Sequence, residues 1–121
     1  MKLYLAGKMS NVPYFNFPAF KWYAAQLRAE GHEVFSPAEK DIERAGEFQL
    51  NCPNGTKAEL EACGVPQINY KDCMKIDLNY IMDEADGIAL IPGWEKSPGA
   101  NVEKALAELL GLKVIYLGSE Y

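Results

Sequence analysis

Hydrophobic positions along the chain alternate between short continuous runs and stretches with helical spacing. Leu3-Tyr4-Leu5-Ala6 is a run of strand length, closed by Gly7. Phe17, Phe20, Ala24 and Leu27 then recur at helical spacing, and Gly31 stands where a left-handed cap commonly ends a helix. Glu33-Val34-Phe35 reads as a second strand. From Asn69 to about Glu84, Cys73, Ile76, Tyr80 and Ile81 form an apolar helical stripe. Gly87-Ile88-Ala89-Leu90-Ile91 is a third strand and Lys113-Val114-Ile115-Tyr116-Leu117 a fourth. Between them Val102, Ala105, Leu106, Leu109 and Leu110 define another stripe, closed by Gly111. Strands alternating with helices predict right-handed crossovers and a parallel sheet buried on both faces, a three-layer α/β sandwich. The expected strand order is 2-1-3-4, with room for a fifth strand.

Residues 40–68 break this rhythm. They hold the turn signal Cys52-Pro53-Asn54-Gly55 and a short helical piece around Lys57–Ala62, followed by Gly64-Val65-Pro66. They read as an excursion at the sheet edge, a lid or an oligomer contact. With 121 residues the chain makes one domain, 1–121, around one core. Its longest apolar runs fall far short of the ~20 residues that span a bilayer. Met1–Gly7 runs straight into a strand pattern rather than the longer apolar region of a signal peptide. A cytoplasmic protein with no membrane partner is therefore expected.

Charge narrows the partners. The net charge of −5, without a Lys/Arg cluster, disfavours binding to polymeric nucleic acid but leaves room for a single nucleotide in a local positive pocket. Cys52, Cys63, Cys73 and His32 lack zinc-ligand spacing, so no metal is expected and the cysteines read as free thiols. The loop after the first strand has neither G-x-G-x-x-G nor a Walker motif, and no cofactor is expected.

Ligands of open parallel sheets bind where loops leave the carboxyl ends of strands, here Ala6–Pro13, Ser36–Glu39 and Pro92–Asn101. Asp77 falls inside an apolar helical stripe, where a carboxylate must be paired, hydrogen-bonded or protonated. It serves either chemistry or a local bond at a cleft edge. Glu103 lies in the early turns of a helix just past the third strand, where the positive helix end favours ionisation by ~0.3–1 kcal/mol. That suits a nucleophile, and equally an acid that only satisfies the helix dipole. Ser97 before Pro98 has the form of an N-cap, and Tyr4 that of a core aromatic. Two carboxylates on facing elements fit glycosyl transfer, one attacking the anomeric carbon and one protonating the leaving group.

Tyr4-Leu5-Ala6-Gly7, Met74-Lys75-Ile76-Asp77-Leu78, Pro92-Gly93-Trp94-Glu95-Lys96-Ser97-Pro98-Gly99-Ala100 and Glu103-Lys104-Ala105-Leu106-Ala107 resemble blocks of the nucleoside 2-deoxyribosyltransferase-like superfamily. The nearest branch is a phage-associated family of uncharacterised domains, and the resemblance covers about residues 1–39 and 70–117. It implies a flavodoxin-like or Rossmann-like fold and cleavage of an N-glycosidic bond. By motif position it implies Glu103 as nucleophile on C1′, Asp77 as the acid that protonates or orients the base, and Tyr4 as the residue that positions the nucleophile. The interval of 26 residues from Asp77 to Glu103 resembles that of the transferases. Asn101, where a small residue is usual, and Lys8 and Met9 depart from the pattern. A pocket completed by a neighbouring chain is also implied, hence a homodimer or larger homo-oligomer.

Ser97 stands six residues before Glu103, with Gly99 between, as in 2′-deoxynucleoside 5′-monophosphate N-hydrolases, whose serine at this spacing contacts the 5′-phosphate. Gly7, Lys8, Ser10, Ser97, Gly99 and Asn101 are accordingly the expected substrate-binding residues. Three functions follow: a hydrolase of deoxynucleoside monophosphates, a transferase exchanging bases between deoxynucleosides, and a non-catalytic protein that binds or sequesters a small nucleotide.

Overall fold

In the computed structural model the described residues are 1–65 and 70–118. The expected helix start at Asn69, and residues 66–68 of the excursion, lie outside them. The elements are β1 (Lys2–Ala6), α1 (Phe17–Ala29), β2 (Glu33–Phe35), α2 (Pro37–Ala45), α3 (Lys57–Ala62), α4 (Tyr70–Asp83), β3 (Gly87–Leu90), α5 (Pro98–Leu109) and β4 (Lys113–Tyr116). Among the described residues all strand pairings are parallel, in one four-stranded sheet of order β2-β1-β3-β4. This is the expected α/β, Rossmann-like arrangement. No helix among the described residues is long and apolar enough to cross a membrane.

The period of two along β1 divides the core. Leu3 and Leu5 join Phe17, Phe20, Tyr23 and Leu27 of α1 on one face of the sheet. Tyr4 and Ala6 join Ile81, Ile88, Leu90, Ala100 and Ala107 on the other, beneath α4 and α5. Register locks this choice, because a one-residue slip would exchange the two sets. Tyr4 lies beside Phe35 of β2 and Ile88 of β3.

Two helices differ from expectation. Of the expected α5 stripe only Leu106 packs against the core, half-buried; Val102, Leu109 and Leu110 are exposed. Its buried residues are Ala100, Glu103 and Ala107, at i, i+3 and i+7. Small side chains let the helix lie close to the sheet, and of the larger apolar ones all but Leu106 turn outward. On α4, Ile76 is likewise exposed while Ile81 is buried. The loop expected over Ser36–Glu39 is in fact the start of α2, with Pro37 in its first turn. Ala38, Ile42 and Ala45 of this helix pack on the α1 side of the core, an i, i+4, i+7 row that short side chains made faint. Arg28 at the end of α1 fixes α2, forking onto both Glu39 carboxylate oxygens at 2.6 Å and donating to the Val34 carbonyl at 2.9 Å.

The excursion is anchored to the loop after β1. Phe48 packs edge-on against Phe15 and Phe17 at 6.0 and 5.6 Å between ring centroids. The Asn11 amide donates to the Gly55 carbonyl at 2.8 Å, and the Tyr14 amide to the Cys52 carbonyl at 3.1 Å. To meet these partners Asn11, Tyr14, Phe15 and Asn16 all adopt left-handed backbone, with φ of 62°, 54°, 54° and 61°. Each costs on the order of 1–2 kcal/mol outside glycine, and the clasp and the Phe15 packing offset it. Cys52 and Cys63 come together inside the excursion, their Sγ atoms 3.9 Å apart, while Cys73 belongs to α4.

Gly55 has φ +66°, and a β-carbon there would stand 1.9 Å from the Val12 carbonyl oxygen. Gly64 has φ +70° and nothing within 4 Å of such a carbon. Gly64→Ala is therefore expected to cost about 1 kcal/mol, the left-handed strain alone, and Gly55→Ala about 2 kcal/mol or more. Urea midpoints compare the two, and equal losses would mean that the clasp contributes nothing.

Candidate active site at the carboxyl end of the sheet

A cavity of about 990 Å³ opens where β1 and β3 end. Its wall is drawn from the loop after β1, from α2, the excursion, α4 and the start of α5. Eight of the expected residues line it: Tyr4, Gly7, Lys8, Ser10, Asp77, Ser97, Gly99 and Glu103. Asn101 is absent from the wall. Its side-chain amide faces away and donates to the Glu95 and Ser97 carbonyls, at 3.0 and 2.8 Å, bracing the turn ahead of α5.

Tyr4, Asp77 and Glu103 meet at the buried end. The Tyr4 hydroxyl donates to a Glu103 carboxylate oxygen at 2.6 Å. Asp77 lies close enough to the same hydroxyl for the two to influence each other's ionisation. Tyr4 is 1 % exposed and Glu103 5 %. The Tyr4 ring is held by its neighbours, 5.5 Å from Phe35 and 6.4 Å from Tyr80, which themselves stack at 4.5 Å. The hydroxyl is thus aimed by packing.

Burial dominates the electrostatics. It pushes the Glu103 carboxyl up to about 8; the bond from Tyr4 opposes the shift and the Asp77 charge adds to it. Burial likewise pushes Asp77 up to about 6, with the nearby Tyr4 hydroxyl opposing and the Asp41 charge adding. Tyr4 is driven well above its ordinary value, first by burial and then by the two carboxylates, and so remains a donor. The expected help to Glu103 from the helix end is not felt. Glu103 is the sixth residue of α5, beyond the first turn to which the dipole effect is confined. Between pH 6 and 8 the two carboxyls together hold one proton, a property of the pair rather than of either residue.

The remaining wall explains the small residues. A β-carbon on Gly7 would stand 3.0 Å from the Ile91 β-carbon and 3.3 Å from the Phe20 ring, so a larger residue there would press on the packing behind the cavity. Ser97 caps α5, accepting from the Ala100 amide at 3.1 Å, and still lines the cavity. Asp41 and Arg44 of α2 and Phe48 and Leu60 of the excursion complete the far side. None of these was expected from the sequence. The only signal for Asp41 was its place beside Ile42 in an amphipathic helix, and solvent-facing carboxylates share it.

Glu103 carries a proton in the folded protein that the unfolded chain, near its ordinary 4.5, releases. Its stabilising protonation is therefore complete below about 4.5 and is lost as pH rises towards 8, so stability falls across that window. Glu103→Gln keeps an acceptor for Tyr4 and removes the titration. The variant is expected to flatten the decline and to exceed wild type at pH 8 by on the order of 2–4 kcal/mol. Melting temperatures from pH 5 to 9 measure this; an unchanged slope would refute burial of an ionisable Glu103.

Neither a curated protein nor a solved structure matches the chain. Residues 1–116 match the model of a family described as a domain of unknown function, DUF4406. The match spans all four strands, the excursion and every residue of the Tyr4–Asp77–Glu103 cluster. The chain belongs to the DUF4406 family.

Proposed function

We propose that the protein cleaves the N-glycosidic bond of 2′-deoxynucleoside 5′-monophosphates, with Glu103 as nucleophile and Asp77 as general acid. The observation that carries this reading is the pair of buried carboxyls, Glu103 bonded to the Tyr4 hydroxyl and Asp77 beside it, on the wall of a nucleotide-sized cavity. A buried acid is costly unless the site uses it, and here two share one cavity.

The Glu103 carboxylate attacks C1′ as the bond from C1′ to the base nitrogen breaks, and the departing base takes the Asp77 proton. A glycosyl ester on Glu103 results. Water then attacks C1′, gives its proton to the Asp77 carboxylate and releases deoxyribose 5-phosphate with Glu103 restored. The Tyr4 bond favours the ionised nucleophile that burial opposes. The form with the proton on Asp77 and the charge on Glu103 is the minor one in the empty site, because Glu103 is the weaker acid. A free base can take the place of water, which would exchange bases instead.

Glu103→Ala is expected to abolish base release, followed by chromatography of free base from the four deoxynucleoside monophosphates. Asp77→Asn is expected to slow purine release by on the order of 10²–10⁴. Wild-type kcat/KM should be highest between about pH 6 and 8 and fall on both sides, where the pair holds two protons or none. Asp77→Asn should leave only the rise with pH that ionises Glu103. A 2′-fluorinated substrate should leave an adduct on Glu103 visible by intact mass. Wild-type rates in both variants would disprove the assignment, and no release by the wild type would favour a binding protein.

Phosphate recognition is proposed for the start of α5. The Ser97 hydroxyl and the Gly99 amide can donate to an anion, and Lys8 and Ser10 line the same cavity with a positive charge. The ratio of kcat/KM for a monophosphate to that for its nucleoside should exceed one, and Ser97→Asp and Lys8→Ala should each lower it about tenfold or more. A ratio indifferent to both places the phosphate elsewhere.

A further inference from the structure

The cavity extends beyond the Tyr4–Asp77–Glu103 cluster, where its wall is only partly apolar. Phe15, Phe48 and Leu60 give it flat and aliphatic surface, while Asp41 and Arg44 give it charge. The Asp41 side chain is only 20 % exposed. Among the described residues its one hydrogen-bond partner is Arg44, whose Nη2 stands 3.4 Å away. Charge-assisted bonds are normally 2.7–2.9 Å, so this one is long. A carboxylate removed from water requires donors, and Asp41 faces the cavity short of them. Arg44, with five N–H groups, has donors to spare.

Asp41 and Arg44 also face the helix that carries the acid. Cys73 and Asp77 stand one turn apart on α4, both on the cavity wall. Cys73 feels the charges of both Asp41 and Arg44, and Asp77 feels that of Asp41. A base set for protonation by Asp77 therefore lies within reach of the α2 pair.

The chemistry of that pair is selective. A carboxylate accepts two parallel bonds from adjacent N–H donors, and a guanidinium beside it donates to a carbonyl. Among the four bases, guanine alone presents N1–H and the 2-amino group side by side next to O6. Adenine and cytosine would turn a ring-nitrogen lone pair towards the carboxylate, and thymine would turn a carbonyl. We propose that Asp41 and Arg44 read the Watson–Crick edge of the departing base and select guanine. This rests on the glycosidic reading of the site, and it makes the excursion, with α2, the wall that recognises the base.

The test compares deoxyguanosine monophosphate with deoxyinosine monophosphate, which lacks only the 2-amino group, beside the adenine, cytosine and thymine nucleotides. Base release from the guanine nucleotide should exceed that from the hypoxanthine one by on the order of 10–100-fold in kcat/KM. Asp41→Asn should bring the two within about threefold, chiefly by slowing the guanine nucleotide; a folding defect would slow both equally. Arg44→Gln should slow both together, because both carry O6. Calorimetric binding of the same nucleotides to Glu103→Gln protein gives the order without turnover. Base release with no guanine preference, or with a preference that survives Asp41→Asn, overturns the proposal and leaves the glycosidic reading standing. Guanine-selective binding with no release from any nucleotide overturns the glycosidic reading and leaves the pocket assignment. Neither binding nor release overturns both.

Discussion

A carboxylate buried against a tyrosine hydroxyl is the constraint around which this fold is arranged. The 2.6 Å bond from Tyr4 to Glu103 joins the first strand to a helix nearly a hundred residues later. It forms only because α5 turns its smallest residues inward: Ala100 and Ala107 bring the helix close to the sheet, and Glu103 shares their row. Replacing an alanine of that row with a leucine would lift the helix and the carboxylate away. Burial then sets the chemistry, since the low dielectric that strengthens the bond also raises both acids towards neutrality. A pair that holds one proton between pH 6 and 8 is suited to giving and taking protons near pH 7.

Around this cluster the cavity is finished by a segment that adds no strand. α2 and the excursion stand opposite α4, and their place depends on the clasp between Asn11–Tyr14 and Cys52–Gly55. Consecutive left-handed residues at Tyr14, Phe15 and Asn16 carry real strain, and the chain keeps it where two parts of the cavity wall are joined. Strain of this kind has a single compensation here, the backbone bonds and the aromatic packing of Phe15, Phe17 and Phe48. The wall and the loop that carries Lys8 and Ser10 are therefore mechanically one unit.

The strands were legible to within a residue at each end, because buried parallel strands are continuous apolar runs bounded by glycine or charge. Glu33–Phe35 falls where the pattern put it, and the third and fourth strands end one residue earlier, at Leu90 and Tyr116. Helix existence was legible too, and α3 matched at both ends, Lys57 and Ala62. Helix orientation was not. In α5 the apolar residues are numerous enough to define more than one stripe, and the larger set, Val102 with Leu109 and Leu110, proved to be exposed. α2 escaped notice because Ala38 and Ala45 bury little area and so leave a weak periodic signal.

The sequence by itself determined the alternation of strands and helices and the parallel class of the sheet. Those follow from hydrophobic period and turn chemistry, which are local. Tertiary structure alone decided that Tyr4 faces α4 and α5, that Glu103 is buried while Asn101 turns away, and that Asp41 and Arg44 enter the wall. Each of these is a matter of which face a side chain takes when elements distant in sequence pack together. Facing depends on side-chain volumes across the whole contact, and no single segment encodes that sum.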